Sequence, residues 1–132
     1  MEQSKKTVPF STVVSALLDE KNIFPPSYLH HFSDISRQDL EALKKAWPNV
    51  NPDRRATLLE DLEELAEADT LVSFDDLSLF ALTDTDPRVR ATAIRLLWEA
   101  QDLKLVPIYS TLLEQDEDVR VRAAAASGLG IF

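Results

Sequence analysis

A chain of 132 residues, 45% hydrophobic and 28% charged, has the composition of one ordinary globular domain, long enough to bury a core and too apolar for extensive disorder. Its net charge of -9 opposes binding to a phosphate backbone, and the lack of cysteine excludes disulfides, thiolate nucleophiles and cysteine-ligated zinc. With only Gly128 and Gly130 to serve tight hairpins, and Ala, Leu, Glu and Arg plentiful, the expected class is all-α.

The opening, Met1 to Phe10, is polar, carries Lys5 and Lys6 and has no apolar run, and no later stretch approaches the roughly 18 apolar residues of a membrane span. A soluble, cytoplasmic protein with no membrane partner is expected. The first helix follows Pro9, with Val13, Val14, Leu17 and Leu18 at helical spacing, and Pro25-Pro26 bars its extension. A one-turn helix over Tyr28 to Phe32 is expected, capped by Ser27. Ser36 and Asp39 form a capping box ahead of Leu40, Leu43 and Trp47, which predicts a helix from Arg37 to Ala46 that Pro48 stops.

Asn51-Pro52 reads as an N-cap with proline at the first helical position. Leu58, Leu59, Leu62, Leu65 and Ala66 then make the apolar stripe of the longest helix. Its other side carries Glu60, Asp61, Glu63, Glu64, Glu67 and Asp69, which reads as a solvated face. Ser73 and Asp76 signal another start, with Phe74, Leu77, Phe80 and Ala81 on one face. A helix from Asp86-Pro87 carries Val89, Ala93, Leu96 and Leu97 and ends near Ala100 to Asp102. Leu105, Ile108, Tyr109, Leu112 and Leu113 mark the next, and Asp118 caps a last helix over Val119 to Leu129.

Self-similarity is the strongest signal. Asp84, Asp86, Arg88, Val89, Arg90, Ala91, Ala93 and Leu97 recur at Asp116, Asp118, Arg120, Val121, Arg122, Ala123, Ala125 and Leu129, all at an offset of 32 residues. A fainter copy, Asn51 to Thr57, parallels Asp86 to Thr92 at an offset of 35. The unit is helix, Asp-rich turn, helix. It resembles the HEAT repeat, including the short bacterial form of the phycobilisome lyases, well over Ser73–Gly130, less well over Asn51–Asp69 and not before Asn49. The resemblance implies a right-handed α-solenoid of stacked antiparallel helix pairs, with repeats over residues 51–132 behind a helical N-terminal cap over residues 1–50, all in one compact domain. It also implies structural pairs, Asp84 with Arg90 and Asp116 with Arg122, with Asn49 weakening the ladder at the first unit. Gly128-Leu129-Gly130-Ile131-Phe132 ends apolar where a solenoid needs a polar cap. Two explanations stay open: the chain is the N-terminal piece of a longer solenoid, or Ile131 and Phe132 tuck into the core or a dimer contact.

Catalytic residues are not evident. Neighbouring residues on a helix point about 100° apart, so His30 and His31 cannot readily chelate one ion, and the His-Glu metal motifs of HEAT-like hydroxylases are absent. Asp84-Thr85-Asp86 and Asp116-Glu117-Asp118 lack the glycine and terminal glutamate of a calcium loop. Trp47 and Trp98 read as packing anchors. No cofactor or metal is expected. The leading expectation is a non-enzymatic scaffold that binds a protein or peptide on the concave surface of the second helices, through Arg88, Thr92, Arg95, Arg120 and Ala124. A subunit of a chromophore-lyase-like enzyme is the alternative, and a nucleic-acid binder is disfavoured by the charge.

Overall fold

The computed structural model describes residues 8–132; the polar opening with Lys5 and Lys6 lies outside the described residues. Among these, every regular element is helical. Two compact units divide between Leu77 and Ser78, so the long helix that begins at Pro52 falls in the first.

In the first unit, helix α1 (Phe10–Leu18) buries Val13 and Leu17, one turn apart. Leu18, at the end of the expected stripe, is exposed. The next element is a 3-10 helix, Pro26–Phe32, that starts without a side-chain cap. Ser27 does not cap it as expected, because Pro25 occupies the cap position and Pro26 opens the helix with its φ already set. Phe32 is fully buried and meets the Phe10 ring edge-on at 5.9 Å and the Phe24 ring at 6.3 Å.

Helix α2 (Arg37–Ala46) starts as the capping pattern requires, the Asp39 amide donating to the Ser36 hydroxyl over 3.1 Å. A single 3-10 turn, Trp47–Asn49, follows and buries Trp47. Helix α3 (Pro52–Ala68) is capped by Asn51, whose carboxamide accepts the Asp53 N–H at 2.8 Å, and it buries Leu58, Leu59 and Leu62. The Arg55 guanidinium on the same helix is also buried and lies 5.9 Å from the centre of the Trp47 ring.

Helix α4 (Asp75–Ala81) spans the division between the units. It starts one residue later than a Ser73 cap would set, and the Ser73 backbone is bonded to the segment after the first 3-10 helix. Its N–H donates to the Ser33 hydroxyl and its carbonyl accepts the Asp34 N–H at 2.8 Å.

The second unit contains α5 (Pro87–Leu96), α6 (Leu105–Gln115) and α7 (Val119–Leu129), with α7 packed on both of the others. A 3-10 turn, Trp98–Ala100, ends α5, and Gln101 in the left-handed region (φ 51) turns the chain toward α6. Leu105 and Tyr109 of α6 are buried; Ile108 and Leu113, on the same expected stripe, are exposed. Ile131 and Phe132 are exposed too, so they are not tucked into this unit's core.

Candidate interaction surface

The turns before α5 and α7 are built alike. In the first, the Asp84 carboxylate accepts the Asp86 N–H at 3.0 Å, and Asp86 accepts the Arg88 N–H at 2.8 Å, capping α5. In the second, Asp116 accepts the Asp118 N–H at 2.9 Å, and Asp118 accepts the Arg120 N–H at 2.8 Å, capping α7. These carboxylates are engaged as turn and helix caps. No group of three or more acidic or histidine side chains able to hold a metal ion occurs among the described residues.

Each cap also grips the side chain that follows it. Arg88 closes a fork on Asp86 through Nε at 3.1 Å and Nη2 at 2.8 Å, and Arg120 does the same on Asp118 at 3.1 and 2.9 Å. The Arg120 bonds hold the Asp118 carboxyl down to about 2, from an ordinary 3.8. Both arginines keep contact with solvent, with side chains 39% and 58% exposed. Arg120 lies close enough to feel the charges of both Arg88 and Asp86, so the two pairs are neighbours on one surface.

Arg95 joins this row by another route. Its Nη2 donates to the Thr92 hydroxyl at 3.0 Å, and that hydroxyl donates to the Arg88 carbonyl one turn back, also at 3.0 Å. Thr92 itself is 2% exposed and Ala124, its counterpart on α7, 7%, so neither offers contact area to a partner. Burial under the neighbouring helices removes these two from the five positions expected to bind. Arg88, Arg95 and Arg120 remain, with Thr92 as a support beneath them.

The arginines two positions further on face inward. Arg90 donates Nη1 to the Asp84 carbonyl at 2.9 Å, and Arg122 donates Nη1 to the Asp116 carbonyl at the same distance. Both expected pairs therefore meet, through backbone oxygen. The carboxylate that takes the Arg90 fork belongs to the following turn: Nε to Asp116 Oδ2 at 2.8 Å and Nη2 to Asp116 Oδ1 at 2.9 Å. The Asp84 carboxylate accepts its own turn amide, as Asp116 does, and it is the carboxylate of the following turn that takes the Arg90 fork.

This chained turn, together with the 32-residue register, is the pattern of a helical repeat. A family model for HEAT repeats matches residues 75–132. Residues 75–132 carry HEAT repeats. No curated protein and no solved structure matches it significantly. The HEAT match begins where α4 begins and takes in both aspartate turns. It leaves α3 outside, although Asn51 caps α3 as Asp86 caps α5.

Sequence reasoning missed what Arg54 does. Its Nη2 donates to the carbonyls of Asp19 and Asn22, both at 2.6 Å, tying the loop after α1 to the start of α3. A depression of ≈ 260 Å³ beside it is lined by Glu20, Asn51, Asp53, Arg54 and Thr57. Along α3, Glu60, Glu64 and Glu67 are exposed as expected. Asp61 is half-buried instead, and desolvation with the nearby Glu64 charge raises its carboxyl above the ordinary value. His31 meets the Tyr28 ring edge-on at 6.0 Å and packs as an aromatic. Finally, no described helix is long and apolar enough to cross a membrane.

Proposed function

We propose that this chain is a non-enzymatic scaffold of the cytoplasm whose helix pairs stack as a right-handed solenoid and hold a protein or peptide along the second helices, α5 and α7. HEAT repeats commonly serve as interaction scaffolds, which supports the class of function. The observation that carries the reading is the row of Arg88, Arg95 and Arg120, each fixed by a partner of its own yet open to solvent.

A guanidinium already held by a helix cap loses little side-chain freedom when a ligand arrives, so its remaining N–H groups act as pre-set donors. Asp86 and Asp118 balance two of the three charges, so the row offers fixed, solvent-facing N–H donors suited to backbone carbonyls and polar side chains of a polypeptide.

The test is affinity capture with the intact chain, comparing the natural sequence with Arg95→Glu and Arg120→Glu. Loss of the same captured protein from both variants, at an unchanged melting temperature, supports the reading. A partner set indifferent to every charge reversal in the row would sink it.

A further inference from the structure

Placing α3 against α5 at the 35-residue offset gives the first unit a surface of its own. The fold keeps the register: Asn51 caps α3 as Asp86 caps α5, and Ala56, Leu59 and Leu62 are buried as Ala91, Ile94 and Leu97 are. The outward positions keep their places and change their charge. Asp53 stands where α5 has Arg88, and Glu60 where it has Arg95. Thr57 is exposed, whereas Thr92, its counterpart, is covered. Asp53, Thr57, Glu60 and Glu64 are all open to solvent and follow one another at steps of four, three and four residues, so they share one side of α3.

At its head this side leads into the depression of ≈ 260 Å³ lined by Glu20, Asn51, Asp53, Arg54 and Thr57. The Arg54 Nη2 is spent on the Asp19 and Asn22 carbonyls, and the Asp19 carboxylate feels its charge. With Arg54 answered by Asp19, the carboxylates of Glu20 and Asp53 set the sign of the depression. We infer that this side of α3 is a docking surface for a lysine- or arginine-bearing segment of a partner polypeptide, with one basic side chain seated in the depression and a second along Glu60 and Glu64.

A basic head group brings only donors, and the site offers acceptors for them: two carboxylates and the Thr57 hydroxyl. Among the described residues no group of three acidic or histidine side chains is placed to hold a metal ion, which favours an organic cation over an inorganic one. The inference rests on the scaffold reading above, because the α3 positions matter as counterparts of the Arg88–Arg95 face. It adds that the first unit meets its ligand with the opposite sign of charge.

The probe is a hexalysine peptide blocked at both ends, titrated at about 50 mM salt into the intact isotope-labelled chain and followed by amide chemical shifts. Shifts are expected at Glu20 and along residues 51–64, and Glu20→Gln combined with Glu60→Gln should weaken binding about fivefold, since two exposed ion pairs are lost. Glu114→Gln combined with Glu117→Gln removes the same charge from exposed positions of the second unit and should change the affinity by less than about twofold. Equal weakening by the two pairs, shifts centred elsewhere, or no binding overturns the proposal. The same shifts produced by magnesium ion alone would make the depression a metal site and likewise reject it. Arg95→Glu separates this outcome from that of the arginine row: the peptide should bind that variant as well as the natural chain whether or not the captured protein is lost, and binding that disappears with Arg95→Glu overturns the α3 surface.

Discussion

Arg90 and Asp116 lie 26 positions apart and form a two-pronged ion pair, with Nε and Nη2 on the two carboxylate oxygens and both side chains nearly closed to solvent. The same carboxylate accepts the Asp118 amide, so one group joins α5, the turn and the start of α7. Burial opposes its charge, yet the Arg90 bonds and the turn amide hold the carboxyl below its ordinary value. Arg90→Gln leaves a buried carboxylate without its fork and should destabilise the chain by about 1.5–3 kcal/mol in urea titration. Arg90→Lys should recover little of this, because an ammonium cannot bridge both oxygens.

The two glycines should respond oppositely to alanine. A Cβ at Gly128 would sit 2.8 Å from Tyr109 Cε2 and 3.2 Å from Trp98 Nε1, and the Tyr109 ring is itself buried. Gly128→Ala should therefore cost about 1–3 kcal/mol by overpacking α7 against α6. Gly130 has an ordinary helical φ of -66 and nothing nearer to its added Cβ than 3.4 Å. Gly130→Ala should be neutral or stabilise by up to about 1 kcal/mol. Equal effects at both sites in thermal melts would contradict this packing.

Local signals were legible in the sequence, and long-range ones were not. Ser36, Asn51, Asp86 and Asp118 all cap their helices as expected, because a cap is satisfied by amides two or three residues away. The repeat register showed that Arg90 and Arg122 play one role, but not that the Arg90 fork reaches into the next turn. Thr92 and Ala124 were placed on the binding face by helical spacing, yet spacing says which residues share a side, and the neighbouring helix decides whether that side is covered. Ser27 looked like a cap until Pro25 and Pro26 set the backbone ahead of it. Gly128 carried no pattern that distinguished it from a helix end.

Arg54 supplies a prediction in the first unit. Its Nη2 satisfies the carbonyls of Asp19 and Asn22, which follow the end of α1. Arg54→Met keeps the aliphatic stem and removes the donors. It should cost about 1–2 kcal/mol and speed amide exchange selectively in residues 17–24. Uniform acceleration across the chain would mean that Arg54 acts on global stability and has no special hold on this loop.

The aspartates predict a stability profile with its maximum on the acid side of neutrality. Desolvation raises the Asp61 and Asp75 carboxyls, helped by Glu64 at the first and by Asp76 and Asp34 at the second, while the Ser73 hydroxyl pulls Asp75 slightly back. Their ionised forms are penalised in the fold, so stability should rise as pH falls from neutrality through their raised values toward 3.8. Asp19, Asp116 and Asp118 have folded values below 3.8, Asp118 at about 2, so what they contribute is complete above 3.8 and is lost as acid drives the pH down through those values. The melting temperature should therefore climb modestly on mild acidification and drop between about 4 and about 2. Asp75→Asn should raise the melting temperature at neutral pH and flatten the upper limb of the profile while leaving the acid fall in place. If the fall disappears instead, the acid limb belongs to Asp75 and not to the carboxylates of α7 and its turn.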